Sequence, residues 1–216
     1  MKRLRSLFML SVLTLPLNAG VLYTSFGPGD SFNCCSGLGT GHGAELSNGG
    51  IILAAPFIPI VTAALDAIEI GALLIVTGDL VPDASIWLLA DDSGLPGSAL
   101  ESYTLTGVMT VPPLIITATS ASHPSLSAGT QYWVAFAPPD LINGKLAWLF
   151  NDQGRTNMFA GRIGALDSGG WAGVTGPPLP TELAFRISGT EIPEPATIVT
   201  LSVGLFLALT IRLYKQ

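Results

Sequence analysis

Two histidines, one pair of cysteines, a few carboxylates and four tryptophans are the residues of this chain with chemistry to offer. His42 lies in Gly37-Leu38-Gly39-Thr40-Gly41-His42-Gly43, and His123 precedes Pro124 in a serine-rich stretch. Neither has a second histidine or a cysteine at ligand spacing, so no metal site and no cofactor is expected. The glycine cluster lacks a P-loop lysine, a preceding strand and a following helix. It reads as a flexible loop and not as a phosphate cradle. No Gly-x-Ser-x-Gly occurs, which leaves nucleophilic hydrolysis unsupported. Glycoside hydrolysis needs two carboxylates about 5–9 Å apart, and Asp91, Asp92, Glu101 and Asp152 are of the right type. Asp91-Asp92-Ser93-Gly94 reads first as a turn whose aspartates accept from nearby backbone N–H groups. Calcium ligation there would require oxygens from a second loop. No catalytic residue is assigned.

Trp87, Tyr132, Trp133, Trp148 and Trp171 split the same way: tryptophans at strand spacing belong to a core, whereas exposed ones stack on sugar rings. Trp171, set among Asp167-Ser168-Gly169-Gly170 and Gly173, is the one expected on a loop and is the candidate glycan contact. Cys34 and Cys35 are adjacent and are the only cysteines. In an oxidising compartment they have three outcomes: a vicinal disulfide, an intermolecular bridge, or buried free thiols.

The elements that must position these residues are strands. Between residues 20 and 190, glycine and proline interrupt the chain too often for a helix of ordinary length, and Thr, Val and Ile fill the intervals. Expected strands are 21–26, 51–57, 64–72, 85–90, 100–106, 114–119, 131–137, 146–151, 157–163 and 183–188. Ile68 and Ile70 alternate with Ala67 and Glu69, the pattern of a half-buried strand, while Ile86-Trp87-Leu88-Leu89 is apolar on both faces. Gly78-Asp79, Asp91–Gly94, Pro112-Pro113, Ser127-Ala128-Gly129, Pro138-Pro139-Asp140 and Asn143-Gly144 supply the turns. Roughly ten short strands at these intervals describe an all-β fold, an antiparallel, jelly-roll-like β-sandwich.

Charge is scarce and unevenly placed. Charged residues make up 11% of the 216, against about 25% in an average globular protein. Five of the nine bases (Lys2, Arg3, Arg5, Arg212, Lys215) sit at the two ends, and all fifteen acids lie between Asp30 and Glu194, so the body carries 4 − 15 = −11. A body of that sign excludes nucleic acid as a partner. Residues 1–19 combine Lys2, Arg3 and Arg5 with an apolar stretch and end on Ala19, as a secretory signal peptide does. From Ala196 to Ile211 no residue is charged, and Arg212 and Lys215 follow. Sixteen residues make about 24 Å of helix, slightly short of a roughly 30 Å hydrocarbon core; Leu213, Tyr214 and a snorkelling Arg212 extend its reach. The trailing cations put the C-terminus on the cytoplasmic side and the body outside it.

Immediately before this apolar run stands Glu191-Ile192-Pro193-Glu194-Pro195, an extended hinge that no helix interior accommodates. The ordered set of Pro193-Glu194-Pro195, an apolar helix and a basic tail, in a chain with a signal peptide, resembles the PEP-CTERM sorting signal. The resemblance implies processing by an exosortase, a membrane-embedded cysteine transpeptidase of bacteria that secrete exopolysaccharide, with Pro193, Glu194 and Pro195 as the recognised tripeptide. Three further stretches are similar to choice-of-anchor sandwich domains: the segment from Trp87 to Gly97, Leu126-Ser127-Ala128-Gly129-Thr130-Gln131-Tyr132-Trp133, and Ala147-Trp148 with Asn151 and Gly154. These are turn and core signatures, and the resemblance implies a fold without catalytic residues.

The resulting expectation has three parts: a signal peptide over 1–19, a β-sandwich over 20–190, and a sorting signal over 191–216 with its anchor from Ala196 to Ile211. The protein would cross the inner membrane, stay anchored until an exosortase acts, and then remain at the cell surface or in the exopolysaccharide matrix with a structural or adhesive role. A secreted glycan hydrolase or carbohydrate-binding module, and a permanently anchored protein, are the alternatives.

Overall fold

The computed structural model describes residues 19–41, 50–75, 83–164, 170–174 and 180–193. His42, residues 1–18 and residues 194–216 lie outside them, and with these most of the expected signal peptide and Glu194, Pro195, Ala196, Ile211, Arg212 and Lys215. Among the described residues no helix is long and apolar enough to cross a membrane. Thirteen strands follow in chain order: β1 (Ala19–Thr24), β2 (Gly37–Gly41), β3 (Ile51–Phe57), β4 (Ala63–Leu74), β5 (Ala84–Asp92), β6 (Leu95–Leu105), β7 (Leu114–Thr119), β8 (Ser125–Leu126), β9 (Tyr132–Ala137), β10 (Lys145–Leu149), β11 (Phe159–Ile163), β12 (Ala172–Val174) and β13 (Phe185–Glu191).

All strand pairs are antiparallel, and the path runs β1-β13-β4-β10-β2-β3-β9-β5-β6. β7 and β8 add to β4, β11 adds to β3, and β12 adds to β11. This single sheet curls into a half-barrel. Its continuity between β2 and β3 rests on one residue pair, Gly41 with Ile51, which divides it into two halves. Aromatic side chains bridge them: Phe57 of β3 meets Phe185 of β13 edge-on at 6.3 Å, and Phe136 of β9 meets Trp148 of β10 at 5.8 Å. Trp148 is fully buried, and its Nε1–H donates to the Ala184 carbonyl at 2.9 Å, so the ring fills the core without orphaning a donor.

Strand parity explains which residues share that core. Leu65, Ile68 and Ile70 of β4 are buried while Asp66 and Ala67 between them are not. The phase slips because Ser188 pairs with Ala67 but Gly189 with Leu65, leaving Asp66 as the extra residue of a bulge. The expected strands 51–57 and 114–119 coincide with β3 and β7. At Asp92 the chain reverses through Ser93 and Gly94, both with positive φ (58° and 84°), into Leu95; this is the two-residue turn whose twist suits a hairpin.

The expectation for the glycine cluster is overturned. Residues 37–41 are a strand, β2, paired with β10 from Gly37–Leu149 to Gly41–Lys145. Glycine serves close approach here: a Cβ on Gly37 would stand 2.3 Å from the Trp148 carbonyl oxygen, and one on Gly41, whose φ is +85°, 2.2 Å from that of Gly144. β8 and β12, of two and three residues, are also absent from the expected set.

Candidate functional site

In the half made of β5, β9, β3 and β11, β3 and β9 are buried along their whole length and β5 along most of its own, on both faces. Its outer face is built by register. Trp87 pairs with Ala135, Ala135 with Ala54, and Ala54 with Ala160, so a row of small residues runs across the strands beside one tryptophan. All three alanines are fully buried. They are covered by an outer apolar cluster in which Trp133 is buried and Trp87, Met158, Leu141 and Trp171 are half-buried. Alanine makes this possible, because a larger floor would lift the indoles off the sheet. Trp171 lies directly before β12, as a loop residue, with the buried Arg162 guanidinium 5.8 Å from its ring centroid. The expected glycan contact is therefore half covered by its own fold, as is Trp87.

At the end of this face Asp91 accepts from Trp133 Nε1 (2.8 Å), Gln131 Nε2 (2.7 Å) and the Gly94 amide (3.0 Å). The little burial it has pushes its carboxyl up; the bonds from Trp133, Gly94 and Gln131 outweigh that and hold it below the usual aspartate range. Glu101 pairs with Leu88 on edge strand β6. Its Oε2 accepts from Tyr103 and Ser120 hydroxyls, both at 2.7 Å, and its Oε1 from the amides of Ala121 (2.8 Å) and Ser122 (3.0 Å). Partial burial again works against ionisation, and the donors from Ser122, Ser120, Tyr103 and Ala121 hold the carboxyl at about 2.

These two acids leave the hairpin on opposite faces. Leu88, and with it Glu101, belongs to the core-facing set, whereas Asp91 follows Trp87 and Leu89 on the outer one. Asp92 accepts from Ser93 in the turn. Asp152 lies in another loop, where bonds from Gln153 and Ser31 lower its pKa. His123 Nδ1 is 2.8 Å from the Leu65 carbonyl and so carries the proton there, tying the loop 120–124 to β4. Among the described residues no three His, Cys, Asp or Glu side chains group as metal ligands.

Cys34 and Cys35 form a disulfide, exposed in the loop between β1 and β2. Asn33 Oδ1 accepts from the Cys35 amide, and Phe150 binds the backbone on both sides of the pair, through Asn33 N (2.9 Å) and Ser36 O (3.0 Å). Of the three outcomes open in the sequence, the structure has the vicinal bridge.

One cluster has no counterpart among the expectations. Glu182, whose side chain is 2% exposed, takes the Tyr23 hydroxyl, Arg155 Nε (3.0 Å) and Asn157 Nδ2 (3.3 Å). Burial and then the Glu182 carboxylate raise the Tyr23 phenol far above its ordinary value. The signal available was scarcity: with four bases in the body, a glutamate abutting the apolar strand 183–188 needs one of them.

The first and last described strands lie side by side. β1 and β13 are antiparallel neighbours, with Ala19 opposite Thr190 and Gly20 opposite Gly189. Pro193, first residue of the expected sorting tripeptide, is exposed two residues past β13. No family model matches the chain, and no curated protein aligns with it significantly.

Proposed function

We propose that the protein is an exported, exosortase-sorted component of the cell surface or exopolysaccharide matrix, structural or adhesive in role, whose body is a jelly-roll-like β-sandwich. The observation that carries this reading is the pairing of Ala19 with Thr190. It brings the expected signal cleavage point and the strand leading to Pro193-Glu194-Pro195 to the same end of the body, as a chain delivered and then held at one membrane surface requires. A disulfide as the state of the chain's only two cysteines suits an oxidising compartment. The aromatic contacts between the two halves of the sheet suit the two layers of a sandwich. The half-exposed rings of Trp87 and Trp171 suit weak glycan contact in the matrix.

The hydrolase alternative draws less support. Asp91 and Glu101 point to opposite faces, and the candidate acids accept bonds that hold turns and loops: Asp91 and Asp152 within their own, Glu101 from the loop 120–124. The test is expression in an exosortase-bearing host of the natural chain and of a Pro193→Ala, Glu194→Ala, Pro195→Ala variant. The natural chain is expected to be processed and released from the inner membrane, and the variant to remain there unprocessed. Identical distribution of the two would overturn the reading.

A further inference from the structure

The end of the fold from which the C-terminus departs carries exposed apolar side chains. Between β3 and β4 the loop 58–62 runs Ile-Pro-Ile-Val-Thr, with Ile60 75% and Ile58 47% exposed. The loop is held in place: the Gly129 amide donates to the Pro59 carbonyl at 3.0 Å, and the Ala128 amide to Thr62 Oγ1 at 3.1 Å. It is also bonded to the departing chain, because the Ile192 amide donates to the Thr62 carbonyl at 2.9 Å. Ile192 is itself exposed. A rigid loop that points isoleucines into water beside the exit strand is unexplained by the body's own packing.

Chain length says what covers it. From Ile192 to Ala196, where the uncharged run begins, is four residues, or at most about 14 Å of extended chain. The interfacial layer on each side of the hydrocarbon is about 5–7 Å thick. An anchored body is thus held with this end against the headgroups, within reach of the loop's side chains. Asp92 and Glu191 are exposed at the same end, so the contact is apolar and not an attraction to anionic lipid.

We propose that loop 58–62 is a second membrane contact, inserting Ile58 and Ile60 into the interface of the bilayer that holds the C-terminal segment and so fixing the body's orientation before processing. The inference rests on the anchor reading above. Its test uses the full chain in phosphatidylcholine vesicles, carrying an environment-sensitive fluorophore on Ile60→Cys or, in a second variant, on Ile142→Cys. Ile142 is 66% exposed but lies past the other end of β9. Labelling without reductant leaves Cys34–Cys35 closed.

The Ile60 label is expected to shift to the blue and to lose at least half its emission to lipids brominated near the glycerol, the Ile142 label to do neither, and anionic lipid to add nothing. Equal, water-like signals from a chain that resists alkaline carbonate extraction would overturn the loop contact while leaving the anchor intact. A blue-shifted Ile60 label that brominated lipid does not quench would mean that protein covers the loop, either this chain's own C-terminal segment or a second copy, and would overturn it too. Release of the chain by carbonate would overturn the anchor reading and this inference with it.

Discussion

Replacing Glu101 by glutamine is the sharpest test of how the acids of this protein are employed. One carboxylate takes four donors, two on each oxygen: three from Ser120, Ala121 and Ser122 tie the edge strand β6 to the loop 120–124, and the fourth is Tyr103 of β6 itself. Glutamine keeps the shape, removes the charge and turns one acceptor into a donor, so whichever way the amide sits, two donors lose their partner. The folded-state carboxyl lies at about 2 against an ordinary 4.5, which corresponds to at most about 3 kcal/mol of stabilisation. Partial exposure of the group reduces this to about 1–2 kcal/mol, or about 3–6 °C in Tm for a chain of this size. Because the folded pKa is depressed, the contribution is complete above the unfolded value and is lost as pH falls through about 2. Thermal melts of the natural chain and the Glu101→Gln variant should therefore differ by those few degrees at pH 7 and converge between pH 4.5 and 2. Equal melting at pH 7, or a gap that stays constant down to pH 2, would refute the reasoning.

Two further substitutions and one chemical treatment follow from the same structure. Gly37→Ala should cost at least about 2 kcal/mol, because its Cβ meets the backbone of β10 at 2.3 Å, while Gly39→Ala, with nothing within 4 Å, should change the denaturation midpoint far less. Equal costs would remove the close-approach account of β2. Iodoacetamide should add nothing to the native protein and two groups after reduction, as read by mass. Reduction itself should cost at most about 1 kcal/mol, because adjacent cysteines close the shortest of loops; a large loss of stability would show that the bridge holds more than its own turn.

The fold was legible in the sequence where side-chain chemistry repeats with the strand period. Ile68 and Ile70 announced β4, and the double-faced apolar run of 86–89 announced a strand covered on both sides, because burial dictates residue type at those positions. Gly37–Gly41 went the other way. Glycine lowers strand propensity, and the reason for it, the nearness of the Trp148 and Gly144 carbonyls, exists only once β10 and the loop before it are in place. The bulge at Asp66 was hidden for a similar reason, since it is set by the partner strand's register.

The outer aromatic face was half legible. Trp171 could be placed on a loop from its neighbours, but the alanine floor of Ala54, Ala135 and Ala160 comes from three separated strands, and alanine alone carries no signal. The chemistry of the acids was legible as turn chemistry at Asp91–Gly94. The bond from Asp91 to Trp133 spans 42 residues and depends on β5 and β9 being neighbours.

The account depends on where the chain is cut and where it goes, and the intact mass of the native extracellular product reports both at once. The account predicts a polypeptide beginning at or near Gly20 and ending near Glu194, with Cys34 and Cys35 oxidised. A full-length chain of 216 residues recovered from the cytoplasm, with Met1 and Gln216 in place, would contradict it.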